Sequence, residues 1–534
     1  MKKHSFLTGA VVLAICAFVC KLLGAIYRIP LTNILGAQGM GIYYLVFPIY
    51  SFMLTISSSS FPMAISHIVA KAEAVGDKQK SKDILKASFV VLMGLGVICT
   101  LIVVCLSKII ASLQSHKVAY LGYYAIAPSI LFVAGIACFR GYFQGKQNMF
   151  PSGISQIIEQ FTKLLFGLFL SFKLSSYGVI YGVVGALLGI TISEAIAFVY
   201  ILVRYVIFSK KHLTKTTQNS TCQNYNFKLL CKELLSTTMP YMLGSIIYPL
   251  SVMIDSFLII NLLIKSGVSN TLATSLFGIN GAVVGTLMNL PTVVSIALSS
   301  AIVPSITSLQ YKGDFDKVKS RATFCVKITI IVSLACCAIF TFFAKPIVDL
   351  LFSKGLSNQI FNEFQVAYGL LSISGVGVVY LCLLQVFSAI LQALEKPYLP
   401  VISLSVGVVV KIICEVIFIL NPNFNIYGAV LSNTICYLTV CILNALFLLK
   451  YVEIKLGLFD MLFCPILCVA LMCASVFVCD KILVLFLPKA LSTITSFVVG
   501  TIIYVAGLVE LNVISKSELR QISSFKNIKS SLKK

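Results

Sequence analysis

Long runs of apolar residues, separated by short polar stretches, are the dominant pattern along this chain. Each of fourteen runs reaches the length of about 20 residues that an α-helix needs to cross the hydrocarbon core of a bilayer. The runs cover residues 5–27, 40–66, 84–107, 119–139, 154–174, 176–203, 236–263, 274–303, 324–349, 366–392, 398–420, 426–449, 458–478 and 484–509. The pattern therefore predicts an all-α integral membrane protein with fourteen transmembrane helices.

Composition supports this prediction and excludes an ordinary soluble protein. Of the 534 residues, 59% are hydrophobic and only 11% are charged, whereas about 25% of the residues of a soluble domain are charged. The net charge is +23, which could indicate nucleic acid as a partner. Most of the 41 lysines and arginines fall in alternate loops and in the tails, as the positive-inside rule requires of cytoplasmic segments. We therefore predict no nucleic-acid partner and place both termini in the cytoplasm.

An internal duplication organises the chain. Ser57 and Ser58 of the second span correspond to Ser299 and Ser300 of the eighth, and a basic loop that contains Gly-Asp follows each span (VGDKQKSKD and KGDFDKVKSR). A second match aligns Phe139, Gln144 and Lys163 with Phe387, Gln392 and Lys411. Six spans is an even number, so both copies enter the membrane in the same direction, as in transporters with parallel repeats.

The duplication predicts two pseudo-symmetric six-helix lobes plus two extra C-terminal helices. The N-lobe is residues 1–207, a cytoplasmic linker is 208–231, the C-lobe is 232–450, the extra helices lie in 451–511, and a basic cytoplasmic tail is 512–534.

Ionisable residues inside the predicted spans or directly at their ends are costly and mark candidate functional positions. The cations are Lys21, Arg28, Lys163 and Lys411, and the acids are Glu159, Glu194, Asp255 and Glu415. Lys21 and Arg28 are seven residues apart and share a helix face, and the first span contains no acid to neutralise them. We predict that the four cations line a wet cavity and bind an anionic substrate.

Two purely structural interpretations stay open for these charges. Glu159 with Lys163, and Lys411 with Glu415, have the four-residue spacing of ion pairs within a helix. The four acids are therefore candidates either for charge pairing or for ion coupling. For Arg28, the alternative is that its long side chain extends to the membrane surface.

Prolines and glycines within the spans predict points of bending. The prolines interrupt helical hydrogen bonding at Pro48, Pro62, Pro249, Pro291 and Pro304. Gly36, Gly39 and Gly41 allow a tight turn after the first span. We predict hinges at these positions; the alternative is an ordinary kinked bundle.

The sequence contains no enzymatic or metal-binding motif. The four histidines are scattered, no phosphate-binding GxxxxGK[ST] loop is present, and the cysteines lack metal-ligand spacing and lie mostly inside apolar runs. These observations predict a transporter rather than an enzyme, with no cofactor and no metal. Coupling to Na⁺ or H⁺ stays open.

The stretch KLLGAIYRIPLTNILGAQGMGIYYLVFPIYSFMLTISSSSFPMAIS, residues 21–66, resembles the start of the stage V sporulation protein B group. That group is similar to MurJ-like lipid II flippases of the multidrug/oligosaccharidyl-lipid/polysaccharide exporter superfamily. The resemblance implies a bacterial cytoplasmic membrane protein with a central cavity, which flips an undecaprenyl-diphosphate-linked cell-wall precursor by alternating access. It also implies that the helices of 451–511 form a groove for the lipid tail.

The same resemblance assigns roles to single residues. Lys21 and Arg28 fall where MurJ-like flippases carry arginines, and Asp255 falls where they carry an aspartate. The chain departs from that pattern at 57–60 and 286–303, which hold no arginine, and at Ile42 and Tyr43, where an acid is expected. Expected partners are the lipid-linked oligosaccharide, membrane lipids and cell-wall synthesis enzymes. The alternatives are a cation-coupled multidrug antiporter and a non-transporting scaffold for cell-wall or spore-cortex synthesis.

Overall fold

The computed structural model describes residues 6–213, 226–356, 362–452, 463–511 and 513, and the regular structure of these residues is entirely helical. The sixteen α-helices are α1 Phe6–Leu54, α2 Phe61–Ala74, α3 Lys78–Leu113, α4 Tyr120–Gly145, α5 Phe150–Ser175, α6 Val179–Leu213, α7 Phe227–Lys265, α8 Asn270–Ile279, α9 Gly285–Tyr311, α10 Phe315–Phe342, α11 Ala344–Phe352, α12 Glu363–Ala393, α13 Tyr398–Leu420, α14 Tyr427–Tyr451, α15 Cys464–Leu483 and α16 Lys489–Glu510. The predicted all-α fold class is confirmed.

Within the described residues, each predicted span falls mainly on helix, and residues 458–462 of the thirteenth span lie outside them. Twelve helical segments among the described residues are long and apolar enough to cross a bilayer, and one of them, Ile15–Ala74, contains residues 15–27 of the first predicted span and all of the second. The remaining span is α5, which carries Glu159, Lys163 and Lys173. Some boundaries differ from the prediction: the ninth span ends at Phe342, and α11 is a separate helix. Apart from Val513, the predicted tail lies outside the described residues, as do 214–225 of the predicted linker.

Helix α3 has one face suited to contact lipid and an opposite face buried against other helices. One face exposes large apolar side chains, including Val90, Ile98, Leu101 and Ile109. The opposite face is buried and carries smaller residues such as Gly96, Cys99 and Ser107. Small residues let membrane helices approach closely, while apolar side chains are at no disadvantage facing acyl chains.

Helix α1 is broken at one residue. Gly36 has φ 67° and ψ −179°, a backbone conformation that a side chain strongly disfavours. Two arms result, 6–35 and 37–54. The sequence ends the first span at residue 27 and predicts a tight turn at Gly36, Gly39 and Gly41, but the helix continues up to Gly36, so Arg28 lies within a helical arm.

Contacts group the chain into two compact units. The first contains Met1–Thr286, Phe352–Val366 and Ile413–Ala429, and the second contains the remaining segments. In the first unit, α7 is held along its length: Glu233 pairs with Lys80 (3.3 Å), Ser245 with Ser60 (2.8 Å) and Asn261 with Ser115 (2.6 Å). Contacts thus place α7 and α8 with the first six spans, and the division into lobes at 207 and 232 stays a prediction.

The second unit contains the two extra C-terminal helices. Cys468 of α15 and Tyr504 of α16 are buried in one apolar cluster with Ile331 of α10. The Tyr504 hydroxyl donates a hydrogen bond to the Ile331 carbonyl (2.8 Å). These contacts fix both helices on α10, and the lipid-tail groove stays a prediction.

Turn geometry supports the internal duplication. Gly76 and Gly313 both have positive φ (81° and 72°), and each precedes an aspartate that caps a helix: Asp77 accepts from the Lys80 amide (2.8 Å) and Asp314 from the Lys317 amide (3.3 Å). Three residues after the aligned Gln144 and Gln392, Gln147 and Glu395 adopt the same left-handed conformation (φ 57° and 60°). Matching non-glycine residues at positive φ are uncommon, so the two copies share local structure as well as sequence.

Candidate functional site

Arg28 lies half-buried on the first arm of α1 among tyrosines. The hydroxyl groups of Tyr44, Tyr43, Tyr248 and Tyr27 lie within electrostatic range of its guanidinium. Within the described ranges, the guanidinium forms no ion pair and donates no hydrogen bond. The Tyr44 hydroxyl is buried and also without a hydrogen-bond partner there. An arginine held next to an unpaired hydroxyl leaves several donors free for an anionic ligand.

The ring of Tyr44 is placed by a close helix contact. Gly281, in the π-helical turn Asn280–Val284 after α8, lies directly against this ring, and a Cβ at that glycine would come within 2.5 Å of it. Turns of this kind are frequent at functional sites because they re-aim the helix locally.

Lys163 of α5 lies over two aromatic rings. Its Nζ is 5.2 Å from the ring centre of Tyr27 and 5.7 Å from that of Phe47. No hydrogen bond or ion pair joins this ammonium group to the residues that the structure describes. Arg28, Glu159 and Glu194 lie within electrostatic range, so Arg28 of α1 and Lys163 of α5 belong to one charged cluster.

Glu159 pairs with an arginine from another helix rather than with Lys163. Arg140 of α4 reaches its Oε2 through Nη2 at 2.9 Å and donates from Nε to Ser155 at 2.8 Å. The other oxygen of Glu159 accepts from Gln160 at 2.9 Å. The predicted intrahelical pair is therefore replaced by an interhelical one, because Lys163 is turned towards the aromatic rings.

Glu194 brings α6 to the same cluster. Its side chain is 7% exposed, and its Oε2 has no hydrogen-bond partner among the described residues. Glu159, Arg140 and Lys163 are its charged neighbours. Arg28, Lys163, Glu159 and Glu194 are thus brought together by α1, α5 and α6.

The other predicted residues are placed elsewhere. Lys21 is exposed on α1, two turns before Arg28. Asp255 is buried in α7, while Lys411 and Glu415 are buried in α13. Pro48 lies inside the second arm of α1, Pro249 inside α7, Pro291 and Pro304 inside α9, and Pro62 in the first turn of α2. Gly39 and Gly41 lie in helix after the break at Gly36. Their hinge roles stay predictions.

Sequence reasoning missed Arg140 and the tyrosines. Arg140 directly follows the fourth apolar run, and a cation at this place is normally expected to lie in a loop. Its partner, Glu159, is nineteen positions away in the sequence. The tyrosines look like ordinary span residues. A usable signal was the YR dipeptide at Tyr27 and Arg28, followed by the YY pair at Tyr43 and Tyr44.

We expect Arg140→Ala to lower the free energy of unfolding by about 2–3 kcal/mol, because it leaves the Glu159 carboxylate unpaired beside Glu194. The estimate is below that for a fully buried pair, since the two side chains are 16% and 17% exposed. The double variant Arg140→Met with Glu159→Gln removes both charges and should recover most of the loss. Unfolding of the purified protein in detergent measures both.

The matched control is Lys86→Ala, which removes an exposed pair with Asp83 (3.2 Å, Lys86 72% exposed) and should cost less than about 0.5 kcal/mol. Equal stability of Arg140→Ala and Lys86→Ala would contradict a structural role for the interhelical pair.

Comparison with known proteins agrees with this architecture. The family model described as "Polysaccharide biosynthesis protein" matches residues 6–310, and the MatE model matches 240–417. Stage V sporulation protein B of Bacillus subtilis (strain 168) is 26% identical over 537 residues, covering 98% of each chain. Lipid II flippase MurJ of the same organism is 25% identical over 454 residues, covering 81% of this chain and 80% of that protein.

A solved structure of lipid II flippase MurJ in an inward closed conformation has the same fold. It superimposes with a TM-score of 0.68 at 14% identity and covers 93% of this chain and 98% of the MurJ chain. The family model covers more than half of the sequence, and the resemblance drawn from residues 21–66 is confirmed. The chain belongs to the polysaccharide biosynthesis protein family, within the multidrug/oligosaccharidyl-lipid/polysaccharide exporter superfamily.

Proposed function

We propose that this protein is a flippase for a lipid-linked cell-wall or polysaccharide precursor. The substrate is an undecaprenyl-diphosphate-linked saccharide, moved from the inner to the outer leaflet by alternating access. The names of its relatives, lipid II flippase MurJ and stage V sporulation protein B, support this substrate class.

The observation that carries the proposal is the unpaired arginine. A charged donor that is half removed from water without a partner is unfavourable, and an anionic ligand would offset that cost. The planar guanidinium of Arg28 can bind phosphate oxygens bidentately, and Tyr44 adds a further donor. Lys163 contributes a second positive charge nearby. A diphosphate headgroup carries the complementary charge, whereas a cationic drug would be repelled.

The same proposal assigns roles to the other candidate residues and gives the location of the protein. Lys21, two turns from Arg28, and Lys411 are further candidates for headgroup contacts. Glu194, Asp255, Glu159 and Glu415 are candidates for coupling to Na⁺ or H⁺. The protein resides in the bacterial cytoplasmic membrane with both termini in the cytoplasm, and cell-wall synthesis enzymes are its expected partners.

Reconstitution tests the proposal directly. Proteoliposomes that contain the full chain receive a fluorescent lipid-linked precursor, and translocation is followed by the loss of signal when a membrane-impermeant quencher is added. We expect translocation with the wild-type protein, at a rate that responds to an imposed membrane potential. Empty liposomes provide the background rate.

If inserted protein translocates the precursor no faster than empty liposomes do at any potential, the protein is not a flippase. Export of cationic dyes by the same vesicles would favour the antiporter, for which the buried acids Glu194 and Asp255 supply suitable groups. Capture of cell-wall synthases without any transport would favour the scaffold.

A further inference from the structure

Lys163 contacts both arms of the broken helix α1. Tyr27 belongs to the arm before Gly36 and Phe47 to the arm after it. The ammonium group lies 5.2 Å from one ring centre and 5.7 Å from the other, so both aromatic faces are within the range of cation–π attraction. A single side chain from α5 therefore bridges the point at which α1 bends.

The same aromatic residues continue to Arg28. Phe47 stacks on Tyr43 with ring centres 5.6 Å apart and planes at 15°. Tyr43 in turn meets Tyr44 edge-on at 5.6 Å, and Tyr44 lies within electrostatic range of Arg28. We call Lys163 with Tyr27, Tyr43, Tyr44 and Phe47 the α1 clasp. Its contacting rings extend from the bend of α1 to Tyr44, which lies within electrostatic range of the guanidinium.

The clasp leaves Lys163 able to respond to a ligand. Its ammonium group has three donors and makes no hydrogen bond within the described part of the chain. Arg28 lies within electrostatic range and repels it, whereas Glu159 and Glu194 attract it. An anion near Arg28 would remove this repulsion and offer oxygen acceptors, and charge-assisted hydrogen bonds are typically stronger than cation–π contacts.

We propose that Lys163 is a positioning residue that senses the anionic headgroup and controls the bend of α1. While Lys163 lies on Tyr27 and Phe47, it holds the two arms in the bent arrangement. An anion bound at Arg28 draws Lys163 away from the rings and releases the bend at Gly36. The ligand shifts the equilibrium because it interacts more favourably with the released state. The identity of the anion rests on the proposed function, whereas the contacts of the α1 clasp are independent of it.

The test measures the bend with and without an anion. The full chain in lipid nanodiscs carries spin labels at positions 22 and 63, where Leu22 and Met63 are exposed on either side of Gly36. The labels are attached through unnatural amino acids, because the chain has 18 cysteines. Pulsed electron paramagnetic resonance gives the distribution of distances between the labels, and inorganic diphosphate is the probe.

Without ligand, we expect Lys163→Met to change the ratio of bent to released populations about 5-fold, the equivalent of about 1 kcal/mol. Diphosphate should produce the same shift in the wild-type protein and none beyond it in Lys163→Met. Lys163→Arg keeps the cation and should behave as wild type. Lys173→Met, an exposed lysine on the same helix, is the matched control and should also behave as wild type.

Identical ligand-free distributions for Lys163→Met and wild type would overturn the clasp. If Lys163→Met cannot be purified, Phe47→Leu removes one ring, keeps the lysine and should give the same ligand-free shift. Diphosphate that binds the wild-type protein but leaves its distances unchanged would overturn the sensing role. Absence of diphosphate binding in a calorimetric titration would count against the proposed function instead, and the ligand-free comparison would still decide the clasp.

Discussion

Arg28→Ala is expected to reduce precursor translocation in proteoliposomes by about 100-fold. Truncating one partner of a desolvated, hydrogen-bonded charge pair typically costs about 3 kcal/mol, and each 1.4 kcal/mol corresponds to a factor of ten. The loss arises in headgroup binding, because the guanidinium has no other partner among the described residues. Growth of a strain that depends on this protein provides a second readout.

The stability of Arg28→Ala should not fall together with its activity. The wild-type protein carries an unpaired, half-buried charge at this position, so Arg28→Ala should leave the Tm unchanged or raise it. Loss of activity with retained stability is the signature of a residue that serves function rather than folding. Arg140→Ala, by contrast, should lower the stability. The two arginines therefore have opposite expected effects, although both lie within spans near acidic or phenolic groups.

Arg28→Lys separates charge from geometry. It keeps the positive charge but loses the planar fork, so we expect an intermediate loss of about tenfold. Lys21→Ala should cost less than Arg28→Ala, because Lys21 is exposed, even though the sequence alone leaves a surface-directed alternative open for Arg28 and not for Lys21. Lys173→Ala is the matched surface control. Wild-type translocation by Arg28→Ala would remove this residue from substrate binding.

The sequence predicts the helices well because the membrane imposes a simple rule. A run of about 20 apolar residues must satisfy its backbone hydrogen bonds internally, so it forms a helix regardless of its neighbours. The same rule explains why the sequence did not predict how far the first helix continues. Residues 28–39 contain Arg28, Pro30 and Gly36, and only the glycine breaks the helix, since a proline or a charge can be accommodated by neighbouring segments.

The composition of the candidate site was predictable only in part. A cation in an apolar run is visible in sequence, so Arg28 and Lys163 were found. Their partners depend on which helices meet, and this requires tertiary structure. Glu159 had a lysine at helical spacing, but Arg140 from α4 lies closer to its carboxylate. The contact of Lys163 with two aromatic rings depends on the break at Gly36, which brings residues twenty positions apart onto one side chain.

Gly278→Val is expected to have the largest effect on folding. A Cβ at Gly278 would lie within the van der Waals radii of the Ala37 carbonyl oxygen and the Gly41 amide nitrogen, and a Cβ at Gly41 would overlap the Thr274 carbonyl oxygen. These obstacles are backbone atoms, which cannot rotate away. Helix α8 and the second arm of α1 would have to separate along their whole contact. We expect a loss at or above the upper end of the range for overpacked cores, about 3 kcal/mol.

The measurement is the fraction of monodisperse protein after detergent extraction, together with its Tm. Gly94→Ala on α3 is the control, because a Cβ there meets nothing within 4 Å and replaces a flexible residue within a helix, so stability should rise by about 0.5–1 kcal/mol. Wild-type yield and Tm for Gly278→Val would mean that α8 does not hold the second arm of α1. Lys163 can control the angle between the two arms of α1 only if one arm is anchored. Without the contact to α8, the second arm would have no such anchor.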